Sequence, residues 1–146
     1  MDLSHVMELT RGVPGVNGPD PTTYEEFWPY YVSQHLHPAT RAIHVAGTAG
    51  ALICGAVGVA LLNPVVFAVS PAVAYGPAFT SHFVIEKNRP ASFGHPLWSA
   101  RADFRLCRKF VARELEDDVR RVREALRLRP EQRTLAEAGP RLRRAA

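Results

Sequence analysis

Charged residues are missing from one long segment in the middle of the chain. Residues 42–85 contain no Asp, Glu, Lys or Arg, whereas the segments on both sides are rich in them. Near the centre of this apolar segment, Leu61-Leu62-Asn63-Pro64 is typical of a turn. The pattern predicts two apolar helices, at about 39–62 and about 64–87, that fold back on each other as a membrane hairpin. The first of them is long enough to cross the ~30 Å hydrocarbon core of a bilayer.

Small residues recur at four-residue spacing in the first of these helices. They form two rows, Ala46, Gly50, Cys54 and Gly58 in one and Gly47, Ala51 and Gly55 in the other. Such rows let membrane helices approach closely, whereas in water each glycine weakens a helix by ~1 kcal/mol. The pattern therefore favours a membrane helix, and its small-residue faces could also join two copies of the chain in a homo-oligomer.

The segment before the hairpin predicts a short interfacial helix. Thr22 or Thr23 can cap it, because their hydroxyl groups can accept hydrogen bonds from the first backbone N–H groups of a helix. Trp28, Tyr30 and Tyr31 form an aromatic cluster of the kind found where a membrane meets water. Ordinary packing in a protein core is the alternative for these aromatic residues.

The segment after the hairpin predicts a long amphipathic helix at about 97–128, because its apolar residues recur at helical spacing. Every predicted element is helical, so the predicted fold class is all-α. One helical membrane domain at 22–128 would contain all these elements. It would lie between a Gly- and Pro-rich flexible tail at 1–21 and a basic tail at 129–146.

Charge indicates a membrane partner. The net charge of the 146-residue chain is +4, and the basic excess in its last third suits an anionic bilayer surface, so we expect a lipid bilayer and no nucleic acid. Arg41 before the hairpin, and Lys87 and Arg89 after it, place both ends of an integral membrane hairpin in the cytoplasm. The first twenty residues lack the apolar run of a signal peptide, and the two cysteines imply no disulfide framework.

Histidines mark both ends of the predicted hairpin. His44 and His82 each lie nineteen positions from Asn63, so a fold at Asn63 returns the two imidazoles to the same level, ~28 Å along each helix. His35 precedes a break at Pro38 and can fold over the same end. Three imidazoles from three segments form a candidate site for a divalent transition metal.

Three further residues are candidates for this site. Glu86 follows His82 by one helical turn, so its carboxylate can be a ligand or can accept a hydrogen bond from an imidazole N–H. His37 and His95 each precede a proline in a loop and are additional candidate ligands. A structural role is the alternative for any single histidine.

Two sequence blocks around these histidines resemble the signature blocks of a known membrane family. They run from Gln34 to His44 and from Ser81 to Pro90. The family was long described as a domain of unknown function, and its fungal member is an endoplasmic-reticulum 2-hydroxy-fatty-acid dioxygenase in phytosphingosine degradation. The resemblance spans about residues 24–110 and is nearest to a short bacterial branch, although this chain has Thr40 where the family usually has Asn.

The resemblance implies iron(II) held by His35, His44 and His82, with Glu86 close by, and catalysis by these four residues. The implied reaction is alpha-oxidation, in which O2 cleaves the C1–C2 bond of a 2-hydroxy fatty acid to give CO2 and the acid one carbon shorter. These products balance without an external reductant, which agrees with the absence of nucleotide and flavin motifs. The alternatives are a non-enzymatic membrane scaffold with structural histidines and another metal-dependent lipid enzyme.

Overall fold

The structure of the protein is a computed structural model, and it describes residues 13–16 and 19–127. Within them the chain forms five α-helices and no strand, which confirms the all-α prediction. The helices are α1 (Tyr24–Ser33), α2 (Pro38–Ala60), α3 (Pro64–Ser81), α4 (Pro96–Val111) and α5 (115–127), with a π-helical turn (His82–Glu86) after α3 and a 3-10 turn (Ala91–Phe93) before α4.

The chain divides into two compact units. Gln34–Glu116 form one unit, and the described residues before and after this range form the other. The candidate histidines all belong to the Gln34–Glu116 unit. The predicted basic tail at 129–146 and most of the predicted flexible tail at 1–21 lie outside the described residues, and the domain boundaries at 22 and 128 stay predictions.

Helix α1 buries its aromatic side chains. Trp28 and Tyr31 are buried, and the indole N–H of Trp28 donates to the carboxylate of Asp118 at 2.9 Å. Core packing, the alternative to a membrane interface, is therefore what the structure shows for these two residues. The predicted cap is confirmed, because Thr23 Oγ1 accepts a hydrogen bond from the backbone N–H of Glu26 at 3.3 Å.

Asn63 forms the predicted turn between α2 and α3. Its backbone N–H donates to the carbonyl of Gly58 at 2.8 Å, which closes the end of α2. Its Oδ1 accepts hydrogen bonds from the backbone N–H groups of Val65 and Val66 at 3.0 and 3.2 Å, which caps α3. Leu62, just before it, has a left-handed φ of 49°, as is usual for the residue that follows a helix C-terminus.

Glycines of α2 lie against the backbone of α3. A Cβ atom on Gly58 would lie 2.5 Å from the nitrogen of Phe67, and one on Gly47 would lie 3.1 Å from the oxygen of Ala74. The small residues thus allow close approach of two helices within the chain. That these helices form a membrane hairpin stays a prediction, as does the homo-oligomer.

Helix α2 is the one helix in the described part of the chain that is long and apolar enough to cross a membrane. Most of its apolar length is exposed, whereas the apolar core helix of a soluble protein is mostly buried. Helix α3 is shorter, and it carries no charged residue.

The prediction of a single long helix at about 97–128 is wrong, because the structure has two helices there. Arg113 takes a left-handed φ of 61°. The backbone N–H groups of Arg113 and Glu114 donate to the carbonyls of Phe110 and Lys109 at 3.1 and 2.9 Å, which is the bond pattern of a Schellman motif. Acidic residues follow at once and stabilise the N-terminus of α5. The apolar spacing continues across this break and did not reveal it.

Candidate metal centre

His35, His44 and His82 meet in one buried cluster. The centroids of their rings are 4.3 Å apart for His35 and His44, 4.6 Å for His35 and His82, and 5.1 Å for His44 and His82. All three side chains are buried, and one ligand atom from each ring lies within 4.8 Å of the others. Among the described residues, this is the one group of His, Cys, Asp and Glu side chains that could hold a metal ion.

Each histidine of the cluster comes from a different segment. His35 lies in the linker at 34–37 before α2, His44 lies two turns into α2, and His82 begins the π-helical turn after α3. Such π-helical turns are rare and often occur at functional sites. The proximity of His44 and His82, predicted from their equal distances to Asn63, is confirmed by the ring contact. Their role as metal ligands stays a prediction.

Asp103 in α4 orients the ring of His44. Its Oδ1 lies 2.9 Å from Nδ1 of His44. An ionised carboxylate can only accept a hydrogen bond, so Nδ1 carries the proton and the lone pair of the ring is on Nε2. Metal-binding histidines usually donate their second ring N–H to such a group, which fixes the tautomer and raises the basicity of the ligand atom.

Asn88 orients the ring of His82 in a similar way. Its Nδ2 donates to the backbone carbonyl of Gln34 at 3.0 Å, so its Oδ1 is the acceptor that faces Nδ1 of His82 at 2.8 Å. Nδ1 of His82 therefore carries the proton, and Nε2 carries the lone pair. Because the same amide binds the residue before His35, Asn88 connects two of the three segments that supply histidines.

Arg41 fixes the linker that carries His35. Its buried Nη1 donates to the backbone carbonyls of His35 and Leu36 at 3.1 and 2.8 Å, and its Nη2 contacts the carboxylate of Glu116 at 2.7 Å. The side chain of Arg41 is 5% exposed and that of Glu116 is 69% exposed. The residue that the sequence suggested as a topology signal thus also holds the backbone beside the cluster.

Glu86, His37 and His95 are not members of the three-histidine group. Glu86 Oε1 accepts a hydrogen bond from the backbone N–H of His37 at 2.7 Å, and Nδ1 of His37 accepts one from the backbone N–H of Ala39 at the start of α2. The ring of His95 stacks on Trp98, with 4.9 Å between the ring centroids. A ligand role for these three residues, and a catalytic role for Glu86, stay predictions.

The donor set of the cluster fits a divalent transition metal. Burial lowers the pKa of His82 below its usual value, although the hydrogen bond to Asn88 opposes this shift. A lowered pKa keeps the imidazole neutral at neutral pH, and the neutral form is the one that binds metals. Neutral imidazoles suit iron, zinc, copper and nickel. The residues therefore fit iron(II) without selecting it over these other metals.

Asp103 and Asn88 are the two site residues that the sequence analysis missed. Asp103 lies between the buried Ala102 and Leu106 on the inward face of an amphipathic helix, and a carboxylate at such a position is a signal that could have identified it. Asn88 lies in a loop, where no periodic pattern of apolar residues indicates which side chains point inward.

A comparison with models of protein families gives a match that includes nearly all of the Gln34–Glu116 unit. A family model described as 2-hydroxy-palmitic acid dioxygenase Mpo1-like matches residues 21–115. The match confirms the family resemblance of the blocks at 34–44 and 81–90, and it includes every residue of the cluster and its two orienting partners. No curated protein and no solved structure matches the chain.

Proposed function

Because the chain belongs to the 2-hydroxy-palmitic acid dioxygenase Mpo1-like family, we propose that it is an Fe(II)-dependent dioxygenase of 2-hydroxy fatty acids. In this proposal His35, His44 and His82 hold the iron. The observation that carries it is the buried cluster of three histidines, two of which have Nδ1 bonded to Asp103 and Asn88. Buried structural histidines without a ligand would not need rings that converge within metal-binding distance.

The proposed reaction converts a 2-hydroxy acid and O2 into the acid one carbon shorter, CO2 and water. The C1–C2 bond breaks, C2 becomes the new carboxyl carbon, and C1 leaves as CO2. The electrons removed from these two carbons reduce O2, so the reaction needs no external reductant. A bound iron(II) would supply the one-electron chemistry that allows O2 to react with such an acid.

The protein residues bind and orient in this scheme. Asp103 and Asn88 keep the Nε2 lone pairs of two rings available, and Arg41 holds the linker that carries the third ring. Glu86, which the sequence placed in the catalytic set, acts as a positioning residue, because its carboxylate holds the backbone of His37 beside that linker. Burial of the rings excludes bulk water from the reacting atoms.

The proposed partner of the site is a lipid bilayer. In this proposal α2 and α3 form a hairpin that enters the membrane and has both of its ends on the cytoplasmic side, which is supported by the uncharged segment at 42–85 and by basic residues on both of its sides. A fatty acid with a polar head and an apolar tail suits a metal site at the polar end of such a hairpin.

Metal analysis and oxygen uptake test this function together. The full chain is purified without oxygen, its metal content is measured, and the protein loaded with iron(II) is mixed with 2-hydroxypalmitate or with palmitate. We expect O2 uptake with the 2-hydroxy acid alone, with equal amounts of O2 consumed and shortened acid formed. His44→Ala should lose both metal and activity, whereas the surface variant Asp117→Asn should keep both.

Each other outcome contradicts the proposal in a different way. If no transition metal binds, or if His44→Ala leaves the metal content unchanged, the histidines are structural and a membrane scaffold becomes the better explanation. If metal binds through His44 but the 2-hydroxy acid causes no O2 uptake, another metal-dependent lipid enzyme is favoured.

A further inference from the structure

We infer that the apolar turn between α2 and α3 inserts into one leaflet of a lipid bilayer and stops there. The inserted part, called the apolar tip here, comprises α2 from Leu52 onward, the turn at 61–63 and the start of α3 up to Val69. The inference concerns membrane insertion alone, and it stands whether or not the histidines hold iron.

Helix α2 changes character about half way along its length. Its first half buries four polar side chains, those of Thr40, Arg41, His44 and Thr48, and after Pro38 its exposed positions there are the alanines 42, 46 and 49. Its second half exposes large apolar side chains, those of Leu52, Ile53, Val57 and Val59. Only the second half therefore presents the kind of surface that hydrocarbon would cover.

The position of α4 indicates which part of α2 lies outside the hydrocarbon. Asp103 contacts His44 at 2.9 Å, and Cys107 lies beside Thr48 where the two helices pack together, so α4 lies beside the first half of α2. Helix α4 also carries the exposed Arg101 and ends in basic residues. Charged side chains within hydrocarbon are costly, so the part of α2 up to Thr48 lies outside it.

The remaining length of α2 is too short to cross a bilayer. At 1.5 Å per residue, the helix rises about 22 Å from Thr48 to the turn at Asn63, which is less than the ~30 Å of a hydrocarbon core. The exposed apolar part, from Leu52 to Leu62, corresponds to about 15 Å. That length matches one leaflet, which is half of the core.

The exposed side chains of the turn are apolar and suit a lipid environment. Leu61, Leu62 and Val65 are 67%, 88% and 69% exposed, and a turn that emerged on the far side of a membrane would hold these side chains in water. The side-chain oxygen of Asn63 is already bonded to two backbone N–H groups of α3. A left-handed φ costs a residue other than glycine about 1–2 kcal/mol. Burial of the Leu62 side chain in lipid would offset this cost, which explains why a leucine stands there.

Depth measurements with spin labels test the inference. Cys54 and Cys107, neither of which forms a disulfide, are replaced by Ala and Ser, and single cysteines at Ala46, Ile53 or Leu62 are labelled with a nitroxide in lipid vesicles. We expect accessibility to O2 to rise from position 46 through 53 to 62, and accessibility to a water-soluble nickel complex to fall in the same order. If accessibility to O2 is highest at position 53 and the nickel complex reaches position 62 again, the hairpin crosses the bilayer and the inference fails. If the nickel complex reaches all three positions equally, the hairpin does not insert and the inference fails as well.

A pair of charge substitutions tests the same inference without labels. Leu62→Arg places a charge in the apolar tip, and Leu97→Arg makes the same change at an exposed leucine in the first turn of α4. The fraction of protein that resists alkaline extraction from membranes should fall at least tenfold for Leu62→Arg and stay unchanged for Leu97→Arg. The inference fails if Leu62→Arg has no effect, because a turn in water tolerates arginine, and also if both variants lose membrane binding equally.

Discussion

The carboxylate of Asp103 lies 2.9 Å from Nδ1 of His44, although 59 positions separate the two residues. The contact joins α4, which supplies no histidine to the cluster, to α2, which supplies one. The orientation of the His44 ring, and with it the direction of its Nε2 lone pair, therefore depends on how α4 packs against α2. Several measurements can separate this role from a purely structural one.

Replacing Asp103 should weaken metal binding while the fold is kept. Asp103→Asn retains the shape but removes the charge that stabilises the Nδ1 proton of His44, so we expect metal affinity to fall about tenfold, and Asp103→Ala should approach a hundredfold loss. Anaerobic titration against a competing chelator measures the affinity. Asp117→Asn is the matched control, because Asp117 is exposed and bonds Arg120 at the surface. Equal affinity in all variants would show that Asp103 has no part in metal binding.

Two substitutions at Asn88 should separate its two hydrogen bonds. Asn88→Asp keeps an acceptor for Nδ1 of His82 but loses the donor to the carbonyl of Gln34, whereas Asn88→Ala loses both. We expect Asn88→Asp to lose thermal stability and largely keep metal affinity, and Asn88→Ala to lose about tenfold or more in affinity as well. Thermal unfolding and metal titration of the same samples provide the two readouts. If the two variants bind metal equally weakly, the bond to His82 is not what orients the ring.

Arg41→Met should destabilise the protein more than removal of its ionic partner. The substitution leaves the carbonyls of His35 and Leu36 without their donor, and an unsatisfied buried group costs about 1–3 kcal/mol. Glu116→Gln should cost less than about 1 kcal/mol, because the Glu116 side chain is mostly exposed and salt bridges at the surface contribute little. Chemical unfolding in detergent gives both values. Similar losses would mean that the ion pair, and not the bonds to the linker, is what matters.

Gly58→Ala should disrupt the contact between α2 and α3. A Cβ atom there would lie 2.5 Å from the backbone nitrogen of Phe67, which a side-chain rotation cannot relieve, and overpacking of this kind typically costs 1–3 kcal/mol, so we expect a loss of roughly that size. Gly76→Ala is the control, because nothing lies within 4 Å of the added atom and alanine raises helix propensity by up to about 1 kcal/mol. The free energy of unfolding should fall for the first variant and not for the second. A neutral Gly58→Ala would contradict the close packing.

Local and periodic features of the fold could be predicted from the sequence. The uncharged segment and the Asn63 turn signal defined two helices, and the equal spacing of His44 and His82 about Asn63 predicted their contact. The break at Arg113 could not be predicted in this way, because helical apolar spacing continues on both sides of it. The acidic run that begins at Glu114 is typical of a helix start and was the signal available.

The partners of the histidines depended on tertiary structure. Asp103 reaches His44 only because two helices far apart in the chain pack together, and hydrophobic spacing gives no register between them. Glu86 follows His82 by one turn in the sequence, but the π-helical turn changes the direction of the side chains after His82. The Glu86 carboxylate consequently binds the backbone of His37.

The origin of the three histidines in separate segments has a consequence for how the protein matures. A ribosome would complete the linker and α2 before it makes the π-helical turn, and α4 with Asp103 comes later still. A metal ion held by all three rings would close a loop of about 50 residues, which an unfolded chain resists entropically. All three rings are therefore present only once His82 has been made, so a chain that stalls or is truncated before the π-helical turn would lack one of them and could not form the complete centre.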